Sequence, residues 1–166
     1  PPAEWTEQEQ ALWRAFRRGD WLDLRTLGGG EDVHNWQSWT PQRTIAADVL
    51  ADLLLAGPSA MHGRARSLRL NGARISGQLA LDGASIGHQI ELWNCYFEEP
   101  ILLRGAHTRR ISLAGSRVPE LRLHNLDVDG ELAFERISTA GLVDLADASV
   151  SRSVRFIEAR LTNHHG

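Results

Sequence analysis

Glu98 and Glu99 stand side by side ahead of Pro100, and paired carboxylates are a usual device for general acid–base chemistry. At a chain corner before proline, the same pair is read more simply as solvated. Seven histidines (His34, His62, His88, His107, His124, His164 and His165) raise the question of metal binding, which needs convergent ligands. In the repeat described below, His88, His107 and His124 fall nine, six and three residues into their units. They therefore occupy different columns and do not stack, and the His164–His165 tail offers only a fortuitous contact. The single cysteine, Cys95, occupies a position where its counterparts are mostly alanine, which gives it a small apolar role rather than a reactive one. Gly28-Gly29-Gly30 is followed by no Gly-Lys-Ser/Thr and is read as a plain loop. No nucleophile elbow, zinc spacing or dinucleotide fingerprint occurs. The expectation is therefore no catalytic residue, no cofactor and no metal site.

Two groups of side chains suit contact rather than catalysis. Trp93 and Tyr96 fall on outward positions, either as an aromatic contact patch or as rings covered by the N-terminal helices. Arg104, Arg109, Arg110, Arg117 and Arg122 read as a basic band. Asp127, Asp129, Glu131, Glu135, Asp144 and Asp147 read as an acidic one beyond it, and adjacent opposite bands would suit a partner or a second copy.

These residues are carried by a repeat. Two large apolar residues two apart are followed by a mostly small residue three further on, then by another apolar residue two beyond that. The first column reads Leu68, Leu79, Ile90, Ile101, Ile111, Leu121, Leu132, Val143 and Val154. The second runs from Leu70 through Leu92 and Leu113 to Phe156, the third from Ala73 to Ala159, and the fourth from Ile75 to Leu161. The mean period is about 10.75 residues, which predicts a solenoid. Period 2 within each pair predicts short strands with one buried face. Gly72, Gly83, Asn94, Gly105, Gly115 and Asn125 recur where a corner needs positive φ. Arg136, Asp147 and Glu158 then replace them, predicting a changed or relaxed corner, and two ten-residue units predict a bulge at a corner.

Residues 1–67 lack the repeat and read as a helical capping segment, with the solenoid of about nine units over 68–166. Thr6 with Glu9 forms a capping box, and Gly19 closes that helix. Thr40-Pro41 predicts the start of a second helix through Ile45, Val49, Leu50, Leu53 and Leu54, ending at Gly57-Pro58. Five of six tryptophans lie in this segment.

Bulk composition narrows the class. Apolar residues make up 42%, which excludes general disorder. No apolar run is long enough for a membrane helix. A single cysteine excludes an internal disulfide framework and fits a cytoplasmic, reducing setting. All 18 basic residues are arginine, through base composition of the gene or because a planar fork suits carboxylate pairing. A net charge of −3 predicts no attraction to nucleic acid.

The columns resemble the pentapeptide-repeat family: Ala73-Arg74-Ile75, Ala84-Ser85-Ile86, Ala106-His107-Thr108 and Ala148-Ser149-Val150 follow its pattern. The other pair of each unit has Leu or Ile in place of the small residue, so the chain is similar to an atypical member with two faces per unit and two units per coil. The passage from the Ile45 helix into Leu68–Gly77 is also similar to a set of actinobacterial proteins labelled membrane-associated oxidoreductases. The resemblance implies a mainly β, right-handed quadrilateral β-helix used as a protein-binding surface and without catalytic residues; nine units, or about four and a half coils at the inter-strand spacing, give a rod roughly 22 Å long. It implies three functional expectations: a non-catalytic interaction scaffold, a DNA mimic that binds a type II topoisomerase, or an accessory part of an oxidoreductase. For the last, the place to look is a cleft near Trp36, Trp39 and Trp93. Partners are expected to be a protein or a second copy docking at a coil end, and the repeat still being in register at Leu161 suggests a longer natural chain.

Overall fold

The computed structural model describes residues 1–56 and 66–162. From Ser67 onward the chain winds into a four-faced β-solenoid, each strand pairing in parallel with the strands one turn above and below. Face 1 stacks Leu68, Ile90, Ile111, Leu132 and Val154 in register. Face 2 stacks the strands at 74–76, 96–97, 117–118, 138–139 and 160–161. Face 3 aligns Ile101, Leu121 and Val143, and face 4 aligns Thr108, Val128 and Val150. Two repeat units make one turn, so Leu68 to Val154 spans four turns.

The alternating pattern dictates this closure. Inward residues of all four faces meet in one bore, and outward residues alternate with them. Leu70 pairs with Leu92, and the register of the next pair carries Leu113 beneath Leu92. All three are buried, as are Leu81, Leu103, Leu123 and Phe134. A hollow between these ladders, lined by Leu92, Leu113 and their neighbours, is about 10 Å³, at or below what one water needs. Each fully buried aliphatic chain contributes roughly 1.5–3 kcal/mol through removal from water.

The corners differ from expectation in one respect. Arg136, Asp147 and Glu158 adopt φ of 52°, 55° and 54°, the same left-handed conformation as Asn94 at 50° and Gly115 at 68°. The corner is unchanged: Arg136 is held in it by the coils on either side, and the Asp147 and Glu158 corners by the preceding coil. Arg136 N–H, for instance, donates to Ile157 O at 2.8 Å. The ten-residue units shorten the corners at 109–110 and 119–120. The longer corners below carry Gly130 and Gly141 against them, where a Cβ would collide with Arg109 O and with Glu120 and Pro119.

The N-terminal segment continues the solenoid instead of merely covering it. Helix α1 (Glu7–Arg18) has the capping box of Thr6 and Glu9, and a left-handed Gly19 closes it. Glu9 is buried and its Oε1 also accepts from Ala46 N–H at 2.9 Å, fastening α1 to the first turn. Strand β1 (Leu22–Asp23) adds to face 1 beside Leu70–Asn71. Strand β2 (Thr44–Ala46) adds to face 2, with Ile45 over Ile75. Ile45 is therefore in a strand, where the sequence predicts helix. Thr40-Pro41 opens only a short 3₁₀ turn at 41–43, and helix α2 (Ala47–Ala56) begins after β2. The physical reason is the stack itself: an inward β-branched Ile45 completes the Ile75 column, which outweighs local helical periodicity. The predicted stop at Gly57-Pro58 lies outside the described residues. No helix among them is long and apolar enough to cross a membrane.

Candidate functional site

Trp93 and Tyr96 flank the corner between faces 1 and 2, and the N-terminal segment holds both. Trp21 packs on Trp93 with centroids 4.4 Å apart, and Trp93 Nε1–H donates to Ser112 Oγ at 3.0 Å. Trp36 lies flat on Tyr96 at 4.0 Å and 11°. Arg74 sits 4.9 Å from the Trp36 centroid and is itself paired with Glu98 at 2.6 Å. The aromatic pair is thus a clamp within the protein rather than a bare contact patch. Trp39 takes a third partner, Arg43, whose Cζ is 3.7 Å from the ring centroid. The three tryptophans suggested as cleft walls are each committed to a different packing contact.

Arg43 was not legible in the sequence as special. It is fully buried at the first corner, donating from Nε to Gly72 O at 2.8 Å and from Nη1 to Gly28 O and Gly30 O. Burial holds its pKa below the ordinary guanidinium value. The three carbonyls take the Nε and Nη1 donors, while Nη2 is buried without a hydrogen-bond partner. Gly28-Gly29-Gly30 is thereby a loop that wraps a buried cation.

The five arginines of the supposed basic band do not share a surface. Arg104 and Arg122 lie on face 3, Arg109 and Arg110 at the corner entering face 1, and Arg117 on face 2. The cause is the winding: Arg104 to Arg122 spans 18 residues, nearly one full turn, so a run in sequence circles the rod. The acidic run is dispersed in the same way. Opposite charges meet locally instead, mostly across rungs. Arg104 grips Asp82 at 2.6 Å and holds that carboxyl below its usual range through the side-chain hydrogen bond. Arg122 pairs with Glu120 at 2.9 Å. Along face 1, Glu91 is bound by Arg69 at 2.8 Å and by Arg110 at 2.5 Å. Arg155 then reaches Glu131 at 2.7 Å and Glu135 at 3.3 Å. Arg109 and Arg117 have no carboxylate within ion-pair distance among the described residues.

Chemistry-bearing groups elsewhere are quiet. Cys95 is buried in the bore wall, its N–H donating to Ser116 Oγ at 3.1 Å, and burial pushes its thiol up to about 12. Glu98 is tied to Arg74, and His107 Nδ1 lies 2.9 Å from Asp127. Among the described residues no group of three or more His, Cys, Asp and Glu is placed to hold a metal ion.

The least satisfied part of the described molecule is the last turn. Inward Val154 and Leu161 are 47% and 48% exposed, and outward Ile157 is 56% exposed. Phe156, Leu145 and Val150 are only partly covered. The strands at 143–144, 149–150, 153–155 and 160–161 each form the outer edge of a sheet. An apolar ladder and four backbone edges together present a ready surface for pairing. No family model matches this chain, and no curated protein or solved structure matches it.

Proposed function

We propose that this chain is a non-catalytic protein-interaction scaffold, an atypical pentapeptide-repeat solenoid that associates through the end of its last described turn. The observation that carries this reading is the half-exposed bore there, with Val154 and Leu161 open beside four free strand edges. The N-terminal end of the same bore is covered by β1, β2, α1 and α2. The favoured occupant is a second copy. The last turn carries three acids (Asp144, Asp147, Glu158) and three arginines (Arg152, Arg155, Arg160), so two such ends meet without net repulsion. A cytoplasmic setting belongs to the same proposal.

The DNA-mimic alternative fits less well. Asp82, Glu91, Glu98, Glu120, Glu131 and Glu135 are each neutralised by a neighbouring arginine, whereas mimicry of a duplex requires a continuous negative rod. Sedimentation velocity from 1 to 100 µM (roughly the range of weak specific association) tests the scaffold reading. Wild type should form a dimer that Val154→Arg and Leu161→Arg each abolish. A wild-type monomer across the range, or a dimer indifferent to both changes, removes coil-end self-association. Turnover of a substrate dependent on one side chain removes the non-catalytic reading.

A further inference from the structure

Face 2 presents an outward column with an uneven charge pattern. Thr44, Arg74, Tyr96, Arg117, Ser138 and Arg160 follow one another in register. Arg74 is neutralised by Glu98. Arg117 and Arg160 are not: neither has a carboxylate within ion-pair distance among the described residues, whereas Arg69, Arg104, Arg110, Arg122 and Arg155 on the other faces do. Between them stands Ser138, short and uncharged, which leaves a notch.

The surroundings of that notch add to its positive character. A hollow of about 410 Å³ is lined by His34, Tyr96, Arg117, Ser138, Arg160 and Thr162. It adjoins a second, of about 570 Å³, which shares His34, Ser138 and Arg160 and adds Arg136 and Glu158. Three guanidinium groups and an imidazole thus face a single carboxylate, Glu158. Arg117 Cζ lies 5.9 Å from the Tyr96 centroid, and Trp36 covers that ring. The upper wall is therefore rigid, with both aromatic rings already packed.

Spacing decides what fits. Adjacent rungs lie about 4.8 Å apart, so Arg117 and Arg160 are separated by about 9.6 Å at the backbone. Two guanidinium groups gripping one tetrahedral oxyanion from opposite sides, with charge-assisted bonds of about 2.8 Å, hold their central carbons roughly 8 Å apart. A slight inward lean over Ser138 achieves this, and its hydroxyl supplies a further donor. Neighbouring rungs would be too close for such a grip. A planar carboxylate has only two oxygens and satisfies one fork fully, whereas a phosphate dianion offers oxygens to both.

We infer that the Arg117–Ser138–Arg160 notch on face 2 is a binding site for a phosphate monoester dianion. Its source is a free small phosphate or a phosphorylated side chain. The site opens on the flank of the rod, although Arg160 also belongs to the last turn; Arg117, two rungs away, tests it apart from the scaffold reading.

Isothermal titration in 20 mM salt at pH 8.5, about 2.5 units above the second pKa of a phosphoserine and also above that of inorganic phosphate, tests it with three probes: inorganic phosphate, a short phosphoserine peptide and its unphosphorylated form. Saturable one-to-one binding of phosphate, weakened at least about tenfold (about 1.4 kcal/mol) by Arg117→Gln and by Arg160→Gln, is expected. Ser138→Glu places a carboxylate between the two arginines and should abolish binding while preserving the far-ultraviolet spectrum. Arg18→Gln, on α1 and paired with Asp20, should bind as wild type does. Tighter binding of the phosphopeptide than of inorganic phosphate assigns the source to a protein side chain. The reverse order assigns it to a small molecule. Failure of phosphate to saturate by 10 mM, equal loss in Arg18→Gln, or equal binding of the unphosphorylated peptide overturns the site.

Discussion

Replacing Arg136 by glycine should stabilise the protein, although it deletes a charged side chain and all its contacts. Arg136 is exposed, makes no ion pair among the described residues, and is held at φ 52°. An L-residue in the left-handed region costs roughly 1–2 kcal/mol, and glycine returns roughly 0.5–1 kcal/mol of that through its extra freedom when unfolded. The balance is a gain of about 0.5–1 kcal/mol, or an increase of roughly 2–3 °C in Tm for a chain of this size. Two reciprocal changes calibrate it. Gly105→Ala, where nothing lies within 4 Å of the added Cβ, should lose about 1 kcal/mol from backbone strain alone. Gly115→Ala meets the Asn94 side chain in addition. Displacing it breaks the bond from Asn94 Nδ2 to Asn71 Oδ1 at 3.0 Å, for a total near 2 kcal/mol. Urea unfolding followed by circular dichroism measures all three. A loss of stability in Arg136→Gly, or Gly115→Ala no worse than Gly105→Ala, would show that the corner geometry argued here is wrong.

Leu92→Ala opens the middle of the bore between Leu70 and Leu113 and should cost about 2–5 kcal/mol, read as a lowered urea midpoint at unchanged slope. Thr139→Val removes a buried hydroxyl without a partner and should gain about 1 kcal/mol; thermal melting checks it. His88 packs edge-on to Phe16 at 5.0 Å, and burial, with Arg66 and Arg109 nearby, lowers its pKa. The unfolded chain therefore binds the proton more readily. This contribution to stability is complete above the unfolded value near 6.5 and is lost as pH falls below it. Urea midpoints at pH 7.5 and 5.5 should differ less in His88→Gln than in wild type.

The repeat was readable because each of its four columns points into one bore, so burial imposes the same restriction every ten or eleven residues. Ile45 escaped the pattern because it is a single rung without its own unit. Only the Ile75 column identifies it as a strand, and α2 begins one residue after β2 ends. Arg136 and Glu158 misled for a different reason. Positive φ is usually announced by glycine or asparagine, but backbone hydrogen bonds from the adjoining coils fix these corners, on both sides at Arg136 and from the preceding coil at Glu158, and residue type is free to vary. Arg43 carries no local signal, since its three carbonyl partners come from distant loops. The arginine band failed because proximity in sequence is not proximity on a rod that turns every 20 to 22 residues.

That winding also explains why contact chemistry on this protein must be sought down a face and not along the chain. Each face is a ladder whose rungs sit about 4.8 Å apart, so the side chain above or below sets an outward residue's electrostatics. On face 1 the ladder alternates in sign from Arg69 through Glu91 and Arg110 to Glu131 and Arg155, closing on itself and leaving little charge for a ligand. On face 2 the alternation stops below Arg74 and Glu98, and Arg117 and Arg160 stand with only Ser138 between them. Two like charges retained two rungs apart weaken the fold slightly wherever no anion lies between them. Arg109 and Arg136 also lack a carboxylate partner among the described residues, but Arg117 and Arg160 are the pair that one register column sets two rungs apart with a short hydroxyl between them, beside a fixed aromatic wall.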